Sequence, residues 1–209
     1  SPDSTMAPEE LVQRCLQTGL TCIAVTDHNT INGALVVQRL APFRVIIGEE
    51  IRTSHGEITG LFLHEAISAG LSPMDTISQI RAQGGLVSMP HPCDPFRGSV
   101  IQADLLEELL PLVDIVEVFN ARNTLNASDR RAAQLADRYN LLRSAVSDAH
   151  TPQELGRTYV EFPEFDGTPD GFKLSLQQAQ LITRRTNPLI HVLTTYTKLK
   201  RRILGNLAG

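Results

Sequence analysis

The chain has 209 residues, of which 42% are hydrophobic and 20% charged, and this ordinary globular composition argues against disorder. Its formal net charge of −4 argues against a surface that coats nucleic acid, because phosphate neutralisation needs a basic face. We therefore expect no nucleic-acid partner, and we expect no membrane partner because no stretch approaches the roughly 20 apolar residues of a membrane span.

The cysteines and the first residues bear on the compartment. Cys15, Cys22 and Cys93 show no metal-knuckle spacing, and an odd number of thiols cannot all pair. The N-terminal residues show no basic region followed by an apolar run, so no secretory signal is visible. Both observations favour a reduced, cytoplasmic setting.

Helices and strands are predicted to alternate along the chain. The first helix begins near Pro8 and is closed by Gly19, and a buried strand follows at 20–25. Further helices are predicted at 33–40, 73–83, 104–110, 127–139 and 170–179, and further strands at 44–47, 58–63, 86–89, 113–118, 142–146 and 158–162. This alternation predicts an α/β fold with a parallel sheet, open or closed as a barrel. We expect residues 1–187 to form one domain and residues 188–209 to form a basic helical tail.

Acidic, amide and imidazole side chains follow five successive predicted strands. In chain order they are Asp27 with His28, Glu49 with Glu50, His91, Glu117 with Asn120, and Asp148 with His150. The carboxyl ends of barrel strands open on one face, so these side chains are expected to converge there. Such a collection of charges repels itself unless cations lie among it, and mixed nitrogen and oxygen ligands suit Zn, Mn or Fe.

Each of these residues alone has a simpler explanation. Asp27 and Asp148 could cap the helices that follow them, and His91-Pro92 could be a rigid loop. Glu50 could be a solvated charge at the end of a strand. The recurrence at five successive strand ends favours a metal centre.

Five short motifs, in this order, carry a resemblance to a known family: Ser-Pro-Asp at 1–3, Thr-Asp-His-Asn-Thr at 26–30, Gly-Glu-Glu-Ile at 48–51, His-Pro at 91–92 and Ser-Asp-Ala-His at 147–150. The sequence resembles the polymerase-and-histidinol-phosphatase (PHP) family of metal-dependent phosphoesterases. The resemblance implies a distorted (β/α)7 TIM-like barrel that binds two or three divalent ions. It also implies that metal-activated water is the nucleophile.

The resemblance further implies a ligand set. Glu50 would bridge two metals, and His91 would share one of them. Asp3, His28 and His150 would hold another metal, and Asp148 would serve the remaining one. The family also has a His-x-His pair and its strand just before the Asp3 position, and this sequence starts after it; either the natural protein is longer or that site is incomplete. Where many members place a histidine, this sequence has Glu57, which we expect to be a ligand as well.

Three arginines near the predicted strand ends are candidates for holding a substrate phosphate: Arg97, Arg122 and Arg157. A guanidinium fork matches phosphate geometry, although a surface arginine is the commoner explanation for any one of them. The expected function is the hydrolysis of small phosphoesters, such as a phosphomonoester or a cyclic or nucleotide phosphate. Two alternatives remain open, namely a metallohydrolase of carboxylic or carbamate esters and a non-catalytic domain of the same fold.

Overall fold

The computed structural model describes residue 4 and residues 6–186. Asp3 and the predicted basic tail at 188–209 lie outside the described residues. The helices are α1 Pro8–Thr18, α2 Asn32–Leu40, α3 Pro73–Ala82, α4 Ala103–Leu109, α5 Asn126–Tyr139 and α6 Pro169–Leu176. The strands are β1 Cys22–His28, β2 Arg44–Thr53, β3 Gly56–Leu61, β4 Leu86–Met89, β5 Ile115–Asn120, β6 Leu142–Val146, β7 Tyr159–Glu161 and β8 Gln180–Ile182.

Local sequence signals explain where the helices begin and end. Proline stands in the first turn of α1, and Gly19 ends that helix with a positive φ of 75°. At the start of α3, the side chain of Ser72 accepts a hydrogen bond from the backbone N–H of Asp75. These caps satisfy backbone groups that a helix leaves unpaired at its ends.

Six strands form one curled sheet in the order β1-β2-β3-β4-β5-β6, and its shape is that of a half-barrel. The α/β class is as predicted, and the sheet is largely parallel as expected, except at β3. Strand β3 runs antiparallel to both β2 and β4, whereas the pairs β1–β2, β4–β5 and β5–β6 are parallel. The reason is that β2 continues to Thr53, so that only Ser54 and His55 connect it to β3. A two-residue connection makes a hairpin and leaves no length for a crossover helix.

The two faces of the sheet are covered differently. Helices α3, α4 and α5 pack on the outer face around Ile51, Ile58, Val87 and Val116, and α1 and α2 cover the outer face of β1 and β2. The inner face is filled at one end by an apolar cluster that includes Phe165, Phe172 and Leu176. These residues come from α6 and the segment before it. The polar end of the inner face stays open to a cavity.

Two further expectations can be compared with the described residues. No helix among them is long and apolar enough to cross a membrane. All three cysteines are free thiols. The cytoplasmic location stays a prediction.

The hairpin turn supports the loop that follows β4. Gly56 has a φ of 118°, and a Cβ atom there would lie 2.8 Å from the backbone nitrogen of Ile101 and 2.9 Å from the carbonyl oxygen of Ser99. The backbone N–H of Glu57 donates to the same carbonyl of Ser99 at 2.8 Å. The start of β3 therefore lies directly against residues 99–101.

We predict that Gly56→Ala destabilises the fold more than Gly70→Ala does. Both glycines have positive φ, at 118° and 85°, but nothing lies within 4 Å of a Cβ atom at Gly70. Gly70→Ala should cost about 1–2 kcal/mol for its backbone conformation. Gly56→Ala should cost a further ~1–3 kcal/mol for the displaced loop. Urea denaturation of both variants measures the difference, and equal losses would show that the contact with residues 99–101 is loose.

Candidate metal centre

Glu50 lies between two imidazoles at the polar end of the cavity. His28, the last residue of β1, is directly opposite Glu50 in the parallel pairing of β1 with β2. The Oε2 atom of Glu50 lies 3.1 Å from Nδ1 of His28, and its Oε1 atom lies 3.2 Å from Nε2 of His91. The two oxygens of one carboxylate therefore face two different histidines. This is the arrangement that a carboxylate bridging two cations needs.

Glu57 joins the same group from the reversed strand. Its Oε1 atom lies 4.0 Å from Nδ1 of His28, and its Oε2 atom lies 3.8 Å from Nε2 of His91. Glu57 is buried, so it is not a solvated surface charge. Ligand atoms of His28, Glu50 and Glu57 all lie within 4.8 Å of one another, close enough to hold a metal ion together.

His91 is held in a strained backbone conformation. Its φ is 31°, which is rare for a residue with a side chain, and it costs of order 1–3 kcal/mol. Its backbone N–H donates to Oε2 of Glu117 at 3.0 Å, and its Nδ1 atom is buried without a hydrogen-bond partner among the described residues. Burial and the charge of Arg97 lower the pKa of His91, but Glu50 and Glu117 outweigh them and raise it. Glu50 and Glu117 therefore favour the protonated, positively charged form of the His91 ring.

Asp148 and His150 lie on the loop after β6. Asp148 also has positive φ, at 48°, and its Oδ2 atom accepts hydrogen bonds from the guanidinium of Arg97 and from Nδ2 of Asn120. Burial raises the pKa of Asp148, but the charges of Arg97 and His150 outweigh it and hold the pKa well below its usual range. The Nδ1 atom of His150 lies 2.8 Å from the carbonyl oxygen of Asp148. A carbonyl only accepts, so Nδ1 carries a proton, and in the neutral ring the lone pair lies on Nε2.

Glu117 and Asn120 have a larger part in this site than the sequence indicates. Both were placed among the polar residues at strand ends, but neither was expected to bind metal. Glu117 accepts hydrogen bonds from the backbone of His91 and, at 3.1 Å, from Nδ2 of Asn120. Burial, with the nearby charges of Asp148 and Glu50, raises the pKa of Glu117 to about 7 against the opposing effect of His91. Only their position at the end of a strand could have singled them out.

The three candidate arginines lie in different surroundings. Arg97 lies beside Asp148 and, through Nε at 3.5 Å, beside Asp94. Arg122 is largely buried and donates from Nε to Oε1 of Glu154 at 2.8 Å, so its fork is engaged by a carboxylate instead of facing open space. Nε of Arg157 is buried without a hydrogen-bond partner among the described residues. Arg97 thus contacts Asp148, a residue of the expected ligand set.

A cavity of about 330 Å³ brings these groups together. Of the residues expected to bind metal, five line it: His28, Glu50, His91, Asp148 and His150. Glu117 and Asn120 line it too, while Asp3 lies outside the described residues. Imidazole nitrogens beside carboxylate oxygens form a donor set that fits Zn, Mn or Fe better than Ca or Mg. The crowding of two carboxylates against two imidazoles also fits a site for cations.

Comparison with known proteins identifies the family. A family model described as PHP-associated matches residues 127–180. The uncharacterized protein MJ1587 of Methanocaldococcus jannaschii is 44% identical over 124 residues, which cover 57% of this chain and 70% of that protein. The chain belongs to the PHP family. A second relative from the same organism, the uncharacterized protein MJ0417, is 34% identical over 167 residues, covering 78% of this chain and 66% of that protein.

The fold has counterparts among solved structures. A two-domain protein from Bacteroides vulgatus, containing a predicted PHP-like metal-dependent phosphoesterase, has a TM-score of 0.69 and 16% identity. The match covers 95% of this chain and 66% of that chain. At this identity the likeness shows the fold alone. The fold agrees with the predicted TIM-like arrangement of the PHP type, in its half-barrel form.

The expectation that nucleic acid is not a partner finds no support in these matches. Endonuclease Q from Pyrococcus furiosus has a TM-score of 0.58 and 13% identity, over 83% of this chain and 52% of that chain. Another structure of endonuclease Q holds a 27-mer duplex with an abasic lesion at the active site, with a TM-score of 0.54, 13% identity and coverage of 81% and 51%. This fold is therefore compatible with action on DNA, and a net charge of −4 does not exclude it.

We predict that Glu117 makes the metal-free protein less stable as the pH rises towards neutrality. The folded protein keeps a proton on Glu117 up to a pKa of about 7, whereas the unfolded chain releases it near the ordinary value of 4.5. The folded state binds more protons in this window, so stability falls as the pH increases. Glu117→Gln removes the effect.

The measurement is the free energy of unfolding of the chelator-treated wild type and of Glu117→Gln between pH 4.5 and 8. The stability of the wild type relative to the variant should fall across this range. A constant or rising difference would mean that Glu117 is already ionised in the folded protein.

Proposed function

We propose that this protein is a metal-dependent hydrolase of small phosphoesters. The observation that carries the proposal is the position of Glu50, whose two carboxylate oxygens lie 3.1 Å and 3.2 Å from the imidazoles of His28 and His91. Membership of the PHP family and the names of the PHP-like structural neighbours support the same reaction class.

The donor groups divide into two neighbouring sets around Glu50. His28 with Glu57 would complete one set, and His91 with Glu57 the other, since Glu57 faces both rings. His150, through Nε2, and Asp148 extend the sets along the cavity, and Asp3 is proposed as a further ligand. Divalent ions bound here would lower the pKa of a coordinated water and polarise the ester, which removes the need for a protein nucleophile.

Arg97 is proposed to orient the substrate phosphate. Its Nη2 and Nε atoms face Asp148 and Asp94, and its Nη1 atom has no hydrogen-bond partner among the described residues. A guanidinium in this position can donate to a phosphoryl oxygen while its charge stays balanced by the two aspartates. The partly buried position of Arg97 would limit the freedom of the bound phosphate.

Hydrolysis of carboxylic or carbamate esters is the second candidate, because the same centre can attack carbon. One of the structural neighbours is an amidohydrolase from Chromobacterium violaceum with bound sulfate, which keeps this alternative open. The guanidinium of Arg97 at the cavity favours the phosphoester, since a neutral ester carries no anion for it to hold.

Loss of Glu50 should remove both metal and turnover. We expect Glu50→Gln and Glu57→Gln to retain fewer Mn²⁺, Zn²⁺ or Fe²⁺ ions per chain than the wild type, measured by elemental analysis after gel filtration. Turnover of a phosphomonoester by Glu50→Gln should fall by about 100-fold or more in kcat/KM, because the ions supply several kcal/mol of charge stabilisation. Glu65→Gln, a change at an exposed acidic residue, is the matched control. Unchanged metal content in Glu50→Gln would refute the proposed centre.

Replacing Arg97 should distinguish a hydrolase of phosphoesters from a hydrolase of carboxylic esters. We expect Arg97→Ala to raise KM for phosphomonoesters and cyclic phosphodiesters by roughly 10-fold or more, in line with the ~1.5–3 kcal/mol of a hydrogen bond to a charged group. Carboxylic esters of the same leaving group should be affected much less. An abasic-site oligonucleotide belongs in the same panel. Equal losses for phosphate and carboxylic esters would leave Arg97 without a role in phosphate recognition.

A further inference from the structure

Glu154 is a buried carboxylate outside the expected ligand set, and the proposed reaction leaves it unused. Its side chain is only 1% exposed. It lies in the short helical turn Pro152–Glu154, directly after the loop that carries Asp148 and His150. A carboxylate this deeply buried is costly unless donors surround it. The donors that bind the Glu154 carboxylate therefore show which parts of the structure it holds in place.

Among the described residues, the hydrogen-bond donors to Glu154 lie on the loops that follow β5 and β6. Its Oε2 atom accepts from the backbone N–H of His150 at 2.9 Å, from the backbone N–H of Thr151 at 2.9 Å and from the hydroxyl of Thr151 at 3.0 Å. Its Oε1 atom accepts from Nε of Arg122 at 2.8 Å, and Nη2 of Arg122 lies 3.4 Å from Oε2. The backbone on both sides of the His150 side chain is thus pinned to one carboxylate.

Arg122 connects that carboxylate to the end of β5. Its backbone N–H donates to Oδ1 of Asn120 at 2.9 Å, and Nδ2 of the same Asn120 contacts Asp148 and Glu117 at 3.2 Å and 3.1 Å. The chain of contacts therefore runs from the loop after β6 to the loop after β5 and back to Asp148. Both loops carry groups that line the cavity.

We propose that Glu154 and Arg122 are a positioning pair that sets the place and the ring orientation of His150 at the metal centre. The inference rests on the proposed function, because it takes His150 to be a ligand. With the backbone at 150 and 151 fixed by Glu154, the ring of His150 lies with Nδ1 against the carbonyl of Asp148, and the residue lines the cavity. Arg122 balances the charge of Glu154 and keeps it from turning towards the metals.

The test compares Mn²⁺ binding by calorimetry in the wild type, Glu154→Gln, Arg122→Gln and Arg122→Lys. An amide at 154 turns an N–H₂ group towards Arg122 or the backbone donors, so both Gln variants should bind Mn²⁺ about 10–100-fold more weakly. Arg122→Lys keeps the charge and should recover part of the affinity. Arg81→Gln is the matched control, because Arg81 forms a similar ion pair with Asp114, 2.6 Å away, at the opposite ends of β4 and β5.

A second measurement needs no metal. In the chelator-treated protein, the ¹⁵N signals of the His150 ring should show one tautomer with the proton on Nδ1 in the wild type and Arg81→Gln, and mixed tautomers in Glu154→Gln. A wild type that binds no Mn²⁺ would refute the proposed metal function, while the ring signals would still decide the positioning. Unchanged ring signals in a folded Glu154→Gln variant would overturn the inference, whatever its affinity.

Discussion

Glu50 offers one carboxylate oxygen to His28 and the other to His91. Glu57 faces the same two imidazoles, and Glu117 and Asp148 line the cavity beside them. So many acidic groups in a poorly solvated space must be balanced by positive charge. Arg97 supplies part of that charge through Asp148. The raised pKa values of His91 and Glu117 show the same demand, because both groups are shifted towards their protonated forms. Divalent cations bound in the cavity would supply more of the balancing positive charge than Arg97 does.

The direction of β3 decides how one of these acids reaches the centre. In a uniformly parallel sheet, the first residue of a strand lies at the end opposite to the active rim. Because β3 runs back along β2, its second residue, Glu57, lies beside the end of β2 and meets both imidazoles. The hairpin therefore places Glu50 of β2 and Glu57 of β3 at the same end of the sheet, although only two residues connect the strands.

Much of the site could be predicted from the sequence because it depends on local patterns. Strands β4 and β6 have the predicted bounds, and the residues placed after β1, β4 and β6 converge as expected. The reversal of β3 was missed because the prediction ended β2 at residue 47, which left ten residues before the next strand. Had the alternation of Glu50, Ile51 and Arg52 been included in the strand, only five residues would have remained before the strand predicted at 58, which is a length typical of a hairpin.

Other features depend on contacts between distant residues. Arg97 and Asp148 are 51 positions apart, and no spacing rule joins them. Glu117 was seen as a polar residue at a strand end, but its bond to the backbone of His91 follows only from the pairing of β4 with β5. The spacing of Thr151 and Glu154 in the sequence is typical of a capping box, and the structure contains that box. No sequence pattern indicates the ion pair of Glu154 with Arg122.

The contact between Gly56 and residues 99–101 gives the hairpin turn an influence beyond its own strands. Arg97 lies on the loop that this contact supports, two residues before Ser99. A longer or bulkier turn would displace that loop and Arg97 with it, while His28 and Glu50, held within paired strands, would keep their places. Glu57, the residue after Gly56, would shift with the turn. One two-residue connection would then set both the loop of the proposed phosphate-binding arginine and the reach of one proposed metal ligand.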